Sequence, residues 1–560
     1  MTLALAQLAL AYAAAAPAPP AYYYVFPKHD CPFHDVAPQP ACGAKSKGSL
    51  DGLKACCSAT PGCGGFNLNG YIKTTGCSSN ISSTDFATDL YVVQNGPTVW
   101  PSPQSYTTGT GRHIIDASKF AFKLAGNSAG SPLLAAAFER YQSIVFPHVP
   151  GAVDFAACPP KPPSPPPLMI TTFELTVLDL DESHPQLGTD ESYTLAASSS
   201  SPSTLTATAK TVYGALRALE TFAQSVGFDA SCQKYSLPSE LVVTDAPRFA
   251  HRGLMIDTAR HYQTLASIRH VIDSLPVAKL NVLHWHMVDT QSFPFRSTST
   301  PALSHGSYAQ AGQYPQQYSH GDVAAIVEYA RLRGVRVIVE FDMPGHAQSW
   351  CFGVPDICPS ATCTTPLNVA NDKTFDVITG LLNECTGGAK SAKGQPMGLF
   401  PDDFLHLGGD EVNTDCWTKT PSISSWLSAH NLTADGGYAH FVGRAASIAI
   451  AQGRRPVQWS EVYDHFKDTL PKETVVHVWK DVTNVTEVLA GGYDVLRNVG
   501  YDKTSWYLDN LDVTWKQVYA NEPCHDVPDA LCPKILGGHG EMWGETVDTS
   551  DIEQTIWPKL

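Results

Sequence analysis

From residue 248 onward, short apolar runs alternate with longer amphipathic ones. The apolar runs are 253-GLMIDTA-259, 280-LNVLHWHMVD-289, 335-VRVIVEFDM-343, 403-DFLHLGG-409, 456-PVQWSEV-462, 474-TVVHVWK-480, 494-DVLRNVG-500 and 535-ILGGHGEMW-543. Most are apolar almost without a break, as strands of a parallel sheet buried on both faces should be. Helical segments fit between them, most clearly 319-SHGDVAAIVEYARLRG-334. There Ser319 and Asp322 have the spacing of a capping box. Val323, Ile326, Val327 and Ala330 make one apolar stripe. Arg331 and Arg333 complement the last turn, and Gly334 ends it. Eight strand–helix repeats over residues 248–560 predict an α/β fold, a TIM (β/α)8 barrel.

Residues 97–247 have another rhythm. Strand-like runs at 168–180, 193–197 and 204–209 precede a helical one at 211–224, which predicts a small α+β domain. A proline-rich stretch, 158-CPPKPPSPPPL-168, interrupts it and should be an extended polyproline loop. Residues 23–95 differ again. Cys31, Cys42, Cys56, Cys57, Cys63 and Cys77 crowd into this segment, which resembles an apple/PAN-type disulfide module.

Composition narrows the setting. The chain has 560 residues, 53 acidic against 37 basic, and a formal net charge of −16. That balance argues against nucleic acid as a partner, because phosphate binding needs a basic surface. The first 16 or so residues are apolar and lead into small residues and proline. They read as a signal peptide over residues 1–17. No later run is long enough to span a bilayer. Fifteen cysteines and sequons at Asn80, Asn431 and Asn484 suit the secretory pathway.

A TIM barrel carries its chemistry at the C-terminal ends of its strands. The residues falling there are Arg260, His261, Asp289, Asp342, His346, Asp410, Glu411, Trp459, Glu461, Trp479, Asp481, Tyr507, Trp543 and Glu545. Acids and tryptophans together suit a sugar, whose apolar ring faces stack on indole. In 404-FLHLGGDEV-412 two carboxylates are adjacent. Neighbours on a strand point to opposite faces, so Asp410 and Glu411 are badly placed to face each other across one bond. Two other readings compete. His284 and His286, two apart on one strand, could join His346, His406 and Asp410 in a metal-dependent hydrolase. The chain could also be a non-catalytic sugar-binding protein.

From 97-PTVWPSPQSY-106 to its end the sequence resembles the β-N-acetylhexosaminidases of glycoside hydrolase family 20. The resemblance rests on 247-PRFAHRGLMIDTARHY-262, 279-KLNVLHWHMVDTQSFPF-295, 329-YARLRGVRVIVEFDMPGHAQSW-350, 405-LHLGGDEVNTDCW-417, 457-VQWSEVYD-464 and 542-MWGE-545. It implies substrate-assisted hydrolysis, in which the substrate's own acetamido oxygen is the nucleophile. Glu411 would then be the general acid/base, and Asp410 would orient the acetamido group. Asp289 and His346 match a relay to the acid. Arg260, Asp509 and Glu545 match residues that bind hydroxyls of the terminal sugar. Trp459, Trp479 and Trp543 match the aromatic walls, and Tyr507 a donor to the acetamido oxygen.

The resemblance further implies no metal or cofactor, and a substrate with terminal β-linked GlcNAc or GalNAc on an oligosaccharide or glycoconjugate. It implies a lysosomal, vacuolar or extracellular destination and a possible homodimer. Thr290 stands where the family usually has a second Asp. Asn510 after Asp509 argues for neutral sugar ends. Cys416 would pair with Cys358 or Cys363. The chain stops at 556-IWPKL-560, so the family's last barrel helix is expected to be missing.

Overall fold

The computed structural model describes residues 99–109, 111–126, 130–148, 169–197, 203–229, 234–309, 314–388, 398–500, 505–510 and 512–560, together with the backbone of four earlier strands. Those strands form an antiparallel sheet in the order Tyr23–Phe26, Leu90–Val93, Cys63–Asn67, Ile72–Thr74. The signal peptide, the disulfides expected of the cysteine-rich segment, Asn80 and the polyproline loop lie outside the described residues.

The α+β domain is built on a six-stranded mixed sheet. Its order is Ser105–Thr107, Val242–Asp245, Tyr193–Ala197, Thr204–Thr211, Thr172–Asp179, Ala121–Leu124. In Thr204–Thr211 buried Leu205, Ala207 and Ala209 alternate with exposed partners, the period-two pattern of a half-buried strand. Helices Pro132–Val145 and Val212–Ser225 bury their apolar faces in the same core.

This domain meets the base of the barrel through Glu191. Its carboxylate accepts from Arg217 Nε at 2.7 Å, Arg252 Nη2 at 2.6 Å and Asn281 Nδ2 at 3.0 Å. Burial opposes charge on Glu191, but the two guanidiniums outweigh it and hold its carboxyl below the usual range. Arg252 and Asn281 stand where the first two barrel strands begin. The contact therefore braces the end of the barrel opposite the mouth.

The barrel strands are β1 (His251–Asp257), β2 (Val282–Val288), β3 (Arg336–Phe341), β4 (Phe404–His406), β5 (Arg455–Trp459), β6 (Val475–Val478), β7 (Asp494–Arg497) and β8 (Ile535–Met542). They close in sequence order. β8 pairs in parallel with β1 from His251↔Gly537 to Ile256↔Met542, so strand hydrogen bonds make the closure. After β8 comes the short helix Ile552–Ile556.

Most strands are shorter than their apolar runs predict, and at β4 and β5 the reason is local. β4 ends at His406 because Gly408 and Gly409 have φ of 65° and 98°, a region that favours glycine. A Cβ on Gly408 would lie 1.8 Å from Asp342 Oδ1, so no larger residue fits. β5 ends at Trp459, and Ser460–Phe466 is helical. Helix His320–Arg331 carries both reciprocal bonds of the capping box between Ser319 and Asp322.

A TIM barrel interior is usually filled by branched apolar residues. Here Val282, Ile338, Phe404, Val457, Val475 and Leu496 form one such group. Nearer the mouth the interior is polar: His284, His286, His406, His477, His539, Glu340 and Glu541 are all buried, as is His251 at the start of β1.

Candidate active site

The acid pair follows β4 directly, and its two members occupy different environments. The Asp410 side chain is 10% exposed and that of Glu411 55%. His346 stands between them, with Nε2 3.7 Å from Asp410 Oδ2 and 3.5 Å from Glu411 Oε2. His346 and Glu411 have φ of 51° and 49°. Non-glycine residues rarely adopt that region, and such strain concentrates at working sites.

His346 Nδ1 faces Asp289 Oδ1 at 3.2 Å. Burial works against charge on His346, but hydrogen bonds to Asp289 and Glu411 and the charges of Asp342 and Asp410 outweigh it. The imidazole is pushed up to about 12. Burial also opposes charge on Asp289. His286, His346 and Arg260 overcome that and hold its carboxyl well below the usual range.

Asp410 behaves differently. Burial, with Glu461 and Glu340 nearby, raises it to about 6 against the pull of His346. Its Oδ1 is buried without a hydrogen-bond partner. Asp342 accepts the Gly409 N–H at 2.9 Å. Burial and the charge of Asp410 push the Asp342 carboxyl far above the usual range. Two buried carboxylates this close do not both ionise, and Asp342 keeps the proton. Glu411 is held below its ordinary value, chiefly by its hydrogen bond to His346.

The walls come from the other strand ends. Trp459 lies deepest, buried, with Nε1 donating to Glu340 Oε1 at 2.8 Å and its ring stacked 4.1 Å from His477. Trp479 donates to Glu461 Oε2 at 2.9 Å and stacks on Tyr507 at 5.9 Å. Trp543 stands 6.1 Å from Trp459 and 6.3 Å from Tyr507. Arg260 lies over Trp543 and is gripped by Asp257 and Asp289, each at 2.9 Å, with Glu545 at 3.7 Å. Asp509 has a buried, unpartnered Oδ1, and burial raises its carboxyl. Arg260, Asp289, Asp342, His346, Trp459, Glu461, Trp479, Tyr507 and Trp543 are thus joined by side-chain contacts at the barrel mouth, while His261 contacts the Gly544 carbonyl.

Sequence reasoning placed Asp342 and Glu461 at the mouth and gave them no task. In the fold Asp342 shares a proton with Asp410, and Glu461 holds both Trp479 and Lys480. Glu340 was missed altogether. It lies two residues before Asp342 on an apolar strand, on the same face, and that spacing was the available signal. The metal reading of His286 meets an obstacle. Its two ring nitrogens face Glu340 at 2.6 Å and Asp289 at 3.0 Å, so neither offers a free lone pair. Cys416 pairs with Cys363, and Cys358 with Cys351. The disulfides pin the loops around the pair.

A barrel with this mouth is a glycoside hydrolase scaffold, and comparison with known proteins gives the class. Residues 249–560 match the model of the glycosyl hydrolase family 20 catalytic domain, and residues 99–225 match a beta-acetyl hexosaminidase like domain. The chain belongs to glycosyl hydrolase family 20. Beta-hexosaminidase 1 of Arabidopsis thaliana is 40% identical over 476 residues, covering 83% of each chain. Beta-hexosaminidase subunit beta of Mus musculus is 33% identical over 477 residues, covering 83% of this chain and 84% of that one. The chitobiase of Flavobacterium johnsoniae shares the fold with a TM-score of 0.68 at 24% identity, covering 82% of this chain and 68% of its own.

Proposed function

We propose that this glycosidase is an exo-acting, retaining β-N-acetylhexosaminidase that removes terminal β-linked GlcNAc or GalNAc by substrate-assisted catalysis. The observation that carries the reading is the division of the acid pair: Asp410 buried with an unpartnered oxygen, Glu411 half-exposed, and His346 between them.

In the first step Glu411 gives its proton to the glycosidic oxygen. The acetamido carbonyl oxygen of the substrate attacks the anomeric carbon, and the aglycone leaves. The nitrogen of the resulting oxazolinium becomes positive, and Asp410, ionised, accepts its N–H. In the second step Glu411, now a carboxylate, takes a proton from water. That water opens the oxazolinium from the face the aglycone left, so configuration is retained.

Glu411 must be protonated at the start, yet His346 holds it low in the open site. A sugar chain that covers this half-exposed carboxyl removes water from it and raises its proton affinity. Asp410 needs the opposite change. An acetamide N–H donated to its carboxylate favours the anion. Substrate binding thus moves each group toward its role. Trp459, Trp479 and Trp543 would enclose the acetamido group and ring, Tyr507 would donate to the acetamido oxygen, and Arg260, Asp509 and Glu545 would hold the outer hydroxyls.

Three disulfides among the described residues support the secretory route, ending in a lysosome, a vacuole or outside the cell. No helix among the described residues is long and apolar enough to cross a membrane. The test is hydrolysis of aryl β-N-acetylglucosaminide and galactosaminide by the purified chain, with and without chelator. Turnover that survives chelator and gives the β-anomer first, by proton NMR, supports the reading. Chelator-sensitive turnover or an α-anomer would refute it.

A further inference from the structure

Beneath the acid pair the barrel holds titratable groups that touch no substrate. Glu340, on β3, is fully buried. Its Oε1 accepts from Trp459 Nε1 at 2.8 Å. Its Oε2 lies 2.6 Å from His286 Nδ1. His284 Nε2 stands 2.9 Å from the same oxygen, off the line of a good hydrogen bond. The other nitrogen of His286, Nε2, is 3.0 Å from Asp289 Oδ2.

A neutral imidazole carries one N–H. Carboxylate oxygens at both ring nitrogens call for two. His286 is therefore an imidazolium held between Glu340 and Asp289. Burial opposes that charge, and the two carboxylates outweigh burial.

The other interior histidines fit a neutral arrangement. Gly408 N–H donates to His406 Nδ1 at 3.1 Å. The His406 proton is thereby fixed on Nε2, which faces His477 Nδ1 at 3.1 Å. His406 Nδ1 also lies 3.3 Å from Glu340 Oε1. His251 Nε2 faces His539 Nδ1 at 3.0 Å, and His539 Nε2 faces His284 Nδ1 at 3.2 Å. Placing the proton on Nε2 of His251, His539 and His284 satisfies that row and points His284 at Glu340.

One negative charge, on Glu340, is thus met by one positive charge, on His286. Asp289 lies on the far side of that imidazolium and passes its second oxygen to His346. Asp257 is the other acid that acts on His286. Asp342, Asp410 and Glu541 feel the charge of Glu340 from the mouth and from β8.

We propose that Glu340 is a positioning residue for the hydrolysis: it fixes the indole of Trp459 at the floor of the site and the charge of His286 behind Asp289. Through them it sets the orientation of the Asp289, His346, Glu411 row. The proposal rests on the roles given above to Asp410 and Glu411.

Glu340→Gln tests it. Glutamine keeps the size and an acceptor for Trp459, and removes the charge. His286 then keeps Asp289 but loses the other carboxylate that holds it charged, and its proton affinity falls. The expected result is a folded protein with a melting temperature close to wild type. Its kcat falls roughly 10- to 100-fold, as a misaligned catalytic group allows, with KM little changed. Its pH–kcat profile gains a step that the wild type lacks, where His286 now loses its proton.

His286→Gln should lose a similar factor without that step. The double variant should fall no further than either single one, because the two act as a unit. Wild-type kcat and pH profile in folded Glu340→Gln, or additive losses, would overturn the proposal. If Glu340→Gln does not fold, wild-type kcat in His286→Gln overturns it instead. Glu411→Gln is run alongside. Full activity there would overturn the acid-pair reading and this inference together. An inactive Glu411→Gln beside a wild-type-like Glu340→Gln overturns this inference alone.

Discussion

Asp289 Oδ1 lies 3.2 Å from His346 Nδ1, and the far nitrogen of the same ring lies 3.5 Å from Glu411. The carboxylate keeps the imidazole charged, and the charged imidazole holds Glu411 low. Replacing Asp289 with Asn should let His346 fall from about 12 toward its ordinary value. Once neutral, His346 no longer depresses Glu411. The alkaline limb of kcat/KM should move to higher pH while the maximum rate drops roughly 10- to 100-fold. A pH–rate profile of the Asn variant beside wild type checks both effects.

The same two groups make stability depend on pH. Asp289 has a depressed folded pKa, so its contribution is complete above the unfolded value of about 3.9 and is lost as pH falls below it. His346 is raised to about 12. Its contribution is complete below about 6.5 and is lost as pH climbs from there. Melting temperature from this pair should therefore be highest between about pH 4 and 6.5. His346→Gln should flatten the alkaline side of that curve.

Asp342 and Asp410 share one proton, and they should respond differently to the same substitution. Asp410→Asn removes the charge that would face the oxazolinium nitrogen, and kcat should fall roughly 10²- to 10³-fold. Asp342 is already neutral. Asn in its place keeps a donor toward Asp410 and an acceptor for Gly409 N–H, so activity should change far less. Kinetics of the two variants on one aryl substrate decide the point. Equal losses would show that Asp342 carries charge in the working enzyme.

Gly408 should tolerate no side chain. Its φ is 65°, and an added Cβ would meet Asp342 Oδ1 at 1.8 Å. Gly408→Ala should cost about 1–3 kcal/mol from backbone strain alone. It should also displace the acid pair that follows. Denaturant unfolding gives the first quantity and turnover the second.

The Cys363–Cys416 bridge closes a loop with a sequence separation of 53 and sits five residues beyond Glu411. Removing it with a Cys416→Ser, Cys363→Ser pair should cost about 2–4 kcal/mol. Thermal unfolding of the double variant measures this. Activity at low temperature should largely persist, since neither sulfur touches the acid pair.

Much of this was legible in the chain. The barrel strands show as continuous apolar runs because helices cover one face and the barrel the other. The acid pair shows because GGDE interrupts such a run. The end of β5 was not legible, since Ser460 to Val462 continues an apolar-looking run while Glu461 turns into a helix to reach Trp479 and Lys480. The partner of Cys416 stayed open between two cysteines five residues apart, and only the path of the loop separates Cys358 from Cys363. The hydrogen bonds of the β2 histidines to Glu340 and His539 join residues far apart in sequence, which no local pattern encodes.

The claim that the substrate's acetamido oxygen is the nucleophile, steered by Asp410 and Glu411, has one direct measurement. It is kcat/KM for aryl β-glucosaminides whose N-acetyl group carries zero, one, two or three fluorines. Each fluorine weakens the carbonyl oxygen as a nucleophile and changes the ring and aglycone little. The account predicts a steep, progressive fall across the series. A flat series, with activity retained by the trifluoro compound, would contradict it and point to a carboxylate of the protein as the nucleophile.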